Sequence, residues 1–303
     1  MMIDLQSFNN WVSEKLICSI IEPFNLTHNN SSIKMFIKRE DLIHDIISGN
    51  KLRKLKYNII AAEQNGCKRL LTFGGAFSNH ILATASLCLE FQIPLTIMVR
   101  GDELTSASNK ILSYCQKGGI DLRFLSRDTY TQLKKMNGLN YMEEEKYWCI
   151  PEGGANEQGI LGASEILKDV GKYDAYIVAQ GTTTTSLGIY RTMADDAKLY
   201  VVPSLRNFNC IAEMKSMNGT HEFSKKIVPL VYDELGRYGK MTETLQEFQN
   251  SIQYQTTILF DPIYTLKALF AYCKFIVSHK NQSLKSDNVL FIHTGGLNQD
   301  WWN

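Results

Sequence analysis

The sequence predicts an α/β protein with two open, twisted and mainly parallel sheets that carry helices on both faces. Short apolar segments alternate with helical segments along most of the chain, which is typical of parallel α/β units. Glycine-flanked polar loops, such as residues 74–80 and 181–188, stand at strand-to-helix transitions. In open α/β sheets ligands bind beyond the carboxyl ends of the strands, so these loops are the first candidates for function.

Composition excludes several classes of protein. The 303 residues, 44% hydrophobic and 21% charged, predict a soluble globular chain with one large or two medium domains. A net charge of +1 and a pI near 7.6 predict neither a nucleic-acid nor a membrane partner, and no apolar run reaches the length of a membrane span. The seven cysteines are odd in number and widely spaced, and they lack a CxxC pair, which predicts reduced, mostly buried thiols and a cytoplasmic location.

The elements follow in order after a polar lead-in at residues 1–33, which includes a short amphipathic piece at 8–16. The first half predicts strands at 35–38, 69–73, 94–99, 121–125 and 147–150, and helices at 50–64, 79–91, 107–117, 128–136 and 157–168. The second half predicts strands at 175–179, 199–203, 227–231 and 289–293, and helices at 187–195, 207–217, 242–252 and 264–278. The acidic stretch at 135–146 and the Gly153-Gly154 turn indicate a change of domain. We expect a smaller domain at 53–155, inserted into a larger one formed by residues 1–52 and 156–303.

The helix predicted at 50–64 places Lys51 at its amino end. Apolar residues at positions 52, 55, 59 and 62 give it one apolar face, and Gly66 ends it. The helix dipole, Arg53 and Lys54 lower the cost of a neutral amine at Lys51, as a Schiff-base lysine needs. The alternative is a solvated basic helix start.

The two polar loops suit anions. Ser78 and Asn79 fall at the cap of the helix at 79–91, where a substrate carboxylate would fit, although a plain N-cap explains them equally. Residues 181–188 follow an apolar strand and offer four threonine hydroxyls, which favours a phosphate cup; simple capping is the alternative.

Neither loop is a Walker or GxGxxG sequence. The imidazole of His80 is compatible with three roles, namely a general base, a ligand-binding group and a packed core residue, and we favour a structural role. His293 lies at the end of the last strand. No set of His, Asp and Glu has metal-ligand spacing, so no catalytic metal is expected.

Five segments resemble the 1-aminocyclopropane-1-carboxylate (ACC) deaminase and D-cysteine desulfhydrase family. They are ISGNKLRKL at 47–55, TFGGAFSNH at 72–80, PEGG at 151–154, DPIYT at 261–265 and FIHTGG at 291–296. The resemblance implies a tryptophan-synthase-β-like fold, fold type II, with pyridoxal 5'-phosphate (PLP) held between two α/β domains. It implies that the larger domain binds PLP, that the smaller one binds a small amino acid, and that the protein is a homodimer.

The resemblance also assigns roles to single residues. Lys51 would be the Schiff-base lysine and proton shuttle, and Ser78 would seat the substrate carboxylate. Asn79 would bind the ring hydroxyl, Tyr264 would lie against the ring, and Tyr238 would be a second active-site tyrosine. The phosphate would be held by Lys54, Gly181, Thr182, Thr183, Thr184 and Thr185. Taken alone, Tyr264 would be interpreted as a core aromatic residue.

Two positions separate the two activities of the family. True ACC deaminases have a glutamate after the ring tyrosine and a leucine before the last Gly-Gly, whereas this chain has Thr265 and Thr294. A carboxylate near the ring nitrogen makes the ring a strong electron sink and a neutral hydroxyl does not, which favours β-elimination from D-cysteine over opening of ACC. Thr183 and Thr184 stand where the family usually has glycines, so weaker phosphate binding and a non-catalytic PLP-binding relative remain alternatives. The sequence leaves the actual amino-acid substrate open.

Overall fold

The computed structural model describes residues 3–47, 49–136, 146–204, 208–219, 223–279, 288–297 and 301. The chain forms two compact units. Unit 1 comprises residues 1–17, 43–162 and 298–303, and unit 2 comprises residues 18–42 and 163–297. These boundaries place in unit 1, together with the segment predicted at 53–155, four segments that were predicted for the larger domain: 1–17, 43–52, 156–162 and 298–303. The roles predicted for the two domains stay predictions.

Unit 1 contains a four-stranded parallel sheet in the order β5-β4-β3-β6. The strands are β3 (Arg69–Gly75), β4 (Leu95–Arg100), β5 (Asp121–Leu125) and β6 (Tyr147–Ile150). The helices are α1 (Leu5–Leu16), α2 (Asn50–Gln64), α3 (Asn79–Glu90), α4 (Lys110–Lys117), α5 (Arg127–Lys135) and the first part of α6 (Glu157–Ser164). The acidic stretch predicted as a domain change lies largely outside the described residues.

Helices cover both faces of this sheet because successive residues of β3 point to opposite sides. Leu70 packs in a core with Leu55 of α2 and Leu82 of α3. Leu71 and Phe73 pack on the other face with Tyr130 of α5. The prediction of helices on both faces of a parallel sheet is confirmed for this unit.

Unit 2 contains a mixed six-stranded sheet in the order β1-β2-β10-β7-β8-β9, in which only the β1–β2 pair is antiparallel. The strands are β1 (Ile21–His28), β2 (Ser31–Arg39), β7 (Ala175–Gln180), β8 (Lys198–Pro203), β9 (Lys226–Pro229) and β10 (Val289–His293). The helices are α7 (Thr184–Thr192), α8 (Cys210–Asn218), α9 (Glu243–Gln253) and α10 (Thr265–Ser278). The start predicted for α8 at residue 207 lies outside the described residues.

The prediction of a polar lead-in was wrong for residues 21–33. β1 and β2 form a hairpin whose turn residues, Asn29 and Asn30, have φ angles of 47° and 56°. Asparagine tolerates this left-handed conformation, and a two-residue turn of this kind matches the twist of an antiparallel pair. Phe24 and Leu26 point into the core of unit 2, so the hairpin is part of the main sheet.

Among the helices whose observed starts differ from the predicted ones, α7 and α10 bear on the candidate site. α7 starts at Thr184 rather than at residue 187, which places two of the four consecutive threonines in its first turn. α10 starts at Thr265, so Tyr264 is its N-cap rather than a residue of the helix. Five of the seven cysteines are buried, as predicted. No helix among the described residues is long and apolar enough to cross a membrane.

Candidate active site

Lys51 lies in the first turn of α2, as predicted. Gly49 caps the helix with a φ angle of 69°, a conformation that L side chains rarely adopt. The half-buried Lys51 donates from Nζ to the Asn50 side-chain oxygen, 2.9 Å away. A tight glycine turn therefore presents the amine at the positive end of the helix dipole.

The basic residues behind Lys51 are not a solvated face. Arg53 and Lys54 are only 5% and 3% exposed. Nζ of Lys54 donates to the Gly153 carbonyl oxygen at 3.4 Å, and burial, followed by the charge of Lys51, holds the pKa of Lys54 well below its usual 10.5. A buried ammonium with a depressed pKa gains from a bound anion, because the anion favours its charged form.

Gly162 sets the distance between α6 and α2. A Cβ atom built on Gly162 would lie 1.9 Å from the Arg53 carbonyl oxygen. Backbone atoms cannot yield as the tip of a side chain can, so the crossing requires glycine. The position of α2 near its basic residues thus depends on a residue outside the predicted site.

Ser78 caps α3 at the end of the β3 loop. Its Oγ atom accepts the N–H groups of His80 and Ile81 at 3.2 and 3.4 Å, and its own N–H donates to the Gly75 carbonyl oxygen. Ser78 is therefore the N-cap of α3, as the simpler of the two interpretations predicted. The hydroxyl proton takes no part in these cap bonds, and it is the donor that Ser78 offers to a ligand.

Asn79 and His80 differ in their hydrogen bonding. Oδ1 of Asn79 is buried and has no hydrogen-bond partner among the described residues. Nε2 of His80 lies 2.8 Å from the Thr72 hydroxyl, which itself donates to the Ile150 carbonyl oxygen. Nε2 must therefore carry the proton. Burial, then Lys54 and Lys51, lower the pKa of His80 to about 3, so this residue is neutral and structural, as expected.

The threonine loop of unit 2 joins the buried strand β7 to α7. Thr183 is the N-cap and makes no side-chain cap bond, so its hydroxyl does not occupy the first-turn N–H groups. Instead, its Oγ1 accepts from the Gln180 side-chain amide at 3.2 Å. Thr183, Thr184 and Thr185 are all buried. A helix start that lacks a side-chain cap is a suitable place for a phosphate.

Tyr264 packs directly on this loop. A Cβ on Gly181 would lie 2.6 Å from Cε1 of Tyr264, so only glycine allows the ring this close to the backbone. The hydroxyl oxygens of Tyr264 and Tyr238 are 3.0 Å apart, and their rings meet edge to face. The structure thus brings Gly181, Tyr264 and Tyr238 together within unit 2.

Asp261 holds Tyr264 in place, although sequence reasoning gave it no role. Its buried carboxylate accepts the N–H groups of Ile263, Tyr264 and Thr265 at 3.0, 2.8 and 2.9 Å. Burial raises its pKa, and these bonds oppose the rise. The available signal was an aspartate three residues before the predicted helix at 264–278, where an Asx turn would cap it.

Thr265 is bonded to the same aspartate. Its hydroxyl accepts the Asp261 N–H at 2.9 Å and donates to Oδ2 at 2.7 Å, and the residue is fully buried. The loop that follows β10 also approaches Asp261, since a Cβ on Gly296 would lie 3.1 Å from its Cγ. Thr294 is a buried residue of that loop. Asp261 therefore bonds Thr265 directly and lies against the backbone of the loop that contains Thr294.

His293 anchors the end of β10. Nε2 lies 2.7 Å from the Leu259 carbonyl oxygen, and Nδ1 lies 3.3 Å from Oδ1 of the buried Asp41. Arg39 pairs with the same aspartate at 2.7 Å and with Glu22 at 2.7 Å. This network fixes the strand ends of β2 and β10 and supplies a structural role for His293.

Three features fit pyridoxal 5'-phosphate. The orphaned Asn79 Oδ1 is an acceptor for a ring hydroxyl, and buried Lys54 gains from an anionic phosphate. The start of α7 lacks a side-chain cap, which suits a phosphate group. The predicted residues are thus chemically matched to the cofactor within each unit.

Two relatives of known name resemble this chain over most of its length. A putative ACC deaminase from Pyrococcus abyssi is 28% identical over 290 residues, covering 88% of this chain and 85% of that protein. A D-cysteine desulfhydrase from Klebsiella pneumoniae is 24% identical over 286 residues, covering 87% of each. A solved structure described as an ACC deaminase homologue has a TM-score of 0.70 at 24% identity, covering 89% of this chain and 86% of that one, so it shows a shared fold.

One family accounts for nearly the whole chain. The sequence profile described as "Pyridoxal-phosphate dependent enzyme" matches residues 20–295, which include all the predicted site residues. The match spans both sheets described above. This chain therefore belongs to the pyridoxal-phosphate dependent enzymes.

Proposed function

We propose that this enzyme removes the β-substituent of a small amino acid, D-cysteine or a close analogue, to give pyruvate, ammonia and sulfide. The observation that carries the choice is Thr265, a buried neutral hydroxyl at the position of the glutamate in ACC deaminases. The nearby Asp261 carboxylate already accepts three backbone N–H groups and the Thr265 hydroxyl, so its charge is compensated. A neutral oxygen stabilises a protonated ring nitrogen less than a carboxylate does, and a thiolate leaves without a strong electron sink.

When bound, PLP supplies a carbonyl that condenses with amines and a ring that withdraws electrons from the substrate Cα. We propose that Lys51 holds the cofactor covalently and then, as the released amine, takes the Cα proton. The turn at Gly49 keeps Nζ of Lys51 at the amino end of α2. The Ser78 hydroxyl donates to the substrate carboxylate and so orients Cα toward that amine.

The remaining site residues hold the cofactor in this proposal. Asn79 accepts from the ring hydroxyl, and Lys54 binds the phosphate together with the loop from Gly181 to Thr185. Tyr264 lies against the ring, and Thr265 and Thr294 give the ring nitrogen neutral surroundings. Tyr238 bonds to Tyr264 on the substrate side. The support is the order of the matching segments and the chemical fit of each residue.

ACC deamination is the second candidate, because a relative at 28% identity carries that name. A panel of D- and L-amino acids and ACC separates the two, with α-keto acid, ammonia and sulfide assayed separately. We expect sulfide and pyruvate from D-cysteine and little product from ACC. Rapid deamination of ACC with D-cysteine inert would reverse the choice and leave fold and cofactor unchanged. A cofactor spectrum without turnover of any substrate would favour a non-catalytic PLP-binding relative.

We also propose that the enzyme is a cytoplasmic homodimer. The dimer follows from the family resemblance, and the location from seven free cysteines of which five are buried. Sedimentation of the PLP-loaded protein tests the first point, because a monomeric mass at micromolar concentration would contradict it. Cell fractionation tests the second.

A further inference from the structure

A buried lysine lies two residues beyond Thr265. Lys267 of α10 is 1% exposed, and its Nζ donates to the Arg237 carbonyl oxygen at 2.9 Å. Burial lowers its pKa, and the charge of Asp261 opposes that shift. A buried ammonium is expensive in free energy, and none of the roles given above explains it.

The carbonyl that Lys267 binds belongs to the residue before Tyr238. The same oxygen accepts the Lys240 N–H at 3.2 Å, which closes a tight turn. Gly236 precedes this turn and Gly239 lies within it, with φ angles of 65° and 66°. Two glycines in and beside the turn leave it little stiffness of its own. The bond from Lys267 therefore fixes the segment that presents Tyr238.

We infer that Lys267 is a positioning residue that keeps the Tyr238 hydroxyl on the Tyr264 hydroxyl. The inference rests on the proposed function, in which both tyrosines face the reacting groups. Asp261 links the two halves of the arrangement, since it accepts the Tyr264 N–H and its charge favours the ammonium of Lys267. Asp261 thus holds Tyr264 from the start of α10, and Lys267 holds Tyr238 from the facing turn.

Hydrogen exchange tests the tether in the PLP-loaded protein. Lys267→Met keeps a long side chain but removes the donor to Arg237. We expect the amides of residues 236–242 to exchange about tenfold faster, because the turn loses its anchor. The matched control is Lys225→Met, which removes a lysine that bonds the Tyr190 and Met193 carbonyl oxygens elsewhere in unit 2. It should leave this segment unchanged, and unchanged exchange in Lys267→Met would refute the tether.

A double-mutant cycle tests whether Lys267 acts through Tyr238. We expect Lys267→Met to lower kcat about tenfold with little change in KM, and to have no further effect in a Tyr238→Phe background. Losses that multiply would refute action through Tyr238. If no amino acid is turned over, the proposed function fails, while the exchange experiment still decides the tether. Lys267→Leu, which also removes the donor to Arg237, is the second variant should the methionine variant not fold.

Discussion

Lys51 is the residue on which the proposed chemistry depends. Lys51→Ala should lose the absorption of the lysine-bound cofactor and all turnover, because Lys51 is the lysine that the Gly49 turn presents at the amino end of α2. Lys56→Ala is the control, since Lys56 lies farther along α2 over the Tyr57 ring and should behave like the wild type. A wild-type protein that shows no such absorption even with added PLP would contradict the assignment.

Lys54 makes cofactor binding depend on pH. Its pKa is depressed in the free protein by burial and Lys51, and a bound phosphate should raise it toward 10.5. Between the two pKa values binding takes up a proton, so affinity should fall as pH rises through that window. Calorimetry of PLP binding in buffers of different ionisation enthalpy measures the uptake. The Lys54→Met variant should bind PLP more weakly and should take up no proton on binding. The same proton uptake in that variant would show that another group takes up the proton.

Thr265 and Thr294 should control the substrate. Thr265→Glu with Thr294→Leu should raise the ratio of kcat/KM for ACC over D-cysteine by about tenfold or more, because a carboxylate strengthens the electron sink. A glutamate at this buried position, beside the Asp261 carboxylate, will lower the stability of the variant. Activity is therefore compared per amount of folded protein. Thr257→Glu, which adds the same charge at an exposed position, is the control. An unchanged ratio in the double variant would show that specificity lies elsewhere.

At the scale of elements, the loop from β7 to α7 is the proposed phosphate cup. Gly181→Ala should push Tyr264 away, since the new Cβ would meet its Cε1 at 2.6 Å. Overpacking of this kind costs about 1–3 kcal/mol, or roughly ten- to hundredfold in PLP affinity. Gly171→Ala, where nothing lies within 4 Å, should be silent. A structure with the phosphate or a sulfate at another helix terminus would contradict the proposal.

The elements were more predictable than their contacts. Four apolar residues at steps of three and four predicted α2, and all four are buried: Leu52, Leu55, Ile59 and Ala62. β1 was missed because Pro23 interrupts its alternation, although proline is tolerated on an edge strand such as this one.

The roles of Asp261 and Lys267 could not be predicted from the sequence. Asp261 approaches Gly296, and Lys267 bonds the Arg237 carbonyl, across separations along the chain that no local pattern encodes. Local sequence therefore predicted the start of α2 and the glycine turns of the candidate site, but it misplaced the start of α7 by three residues. The tertiary contacts that orient its tyrosines appeared only in the structure.

At the scale of the whole molecule, the tryptophans report on one unit. All four tryptophans of the sequence, at positions 11, 148, 301 and 302, fall within the ranges of unit 1, and the sequence of unit 2 contains none. If both units bind the same cofactor, PLP at about 100 times its Kd should raise the midpoint recorded by tryptophan fluorescence by about 5 °C. Gly181→Ala, a change in unit 2, should remove about half of this shift or more at the same PLP concentration. A full shift in that variant would argue against a shared ligand.

The glycine at position 162 has a consequence for recognising active relatives. A chain can keep every residue that touches the cofactor and still lose the path of the helix that carries Lys51, because any side chain at this crossing would overlap the Arg53 carbonyl oxygen. A search that scores only catalytic motifs would accept such a chain. Glycine at the position equivalent to 162 is therefore a useful criterion for separating active from inactive members among distant relatives.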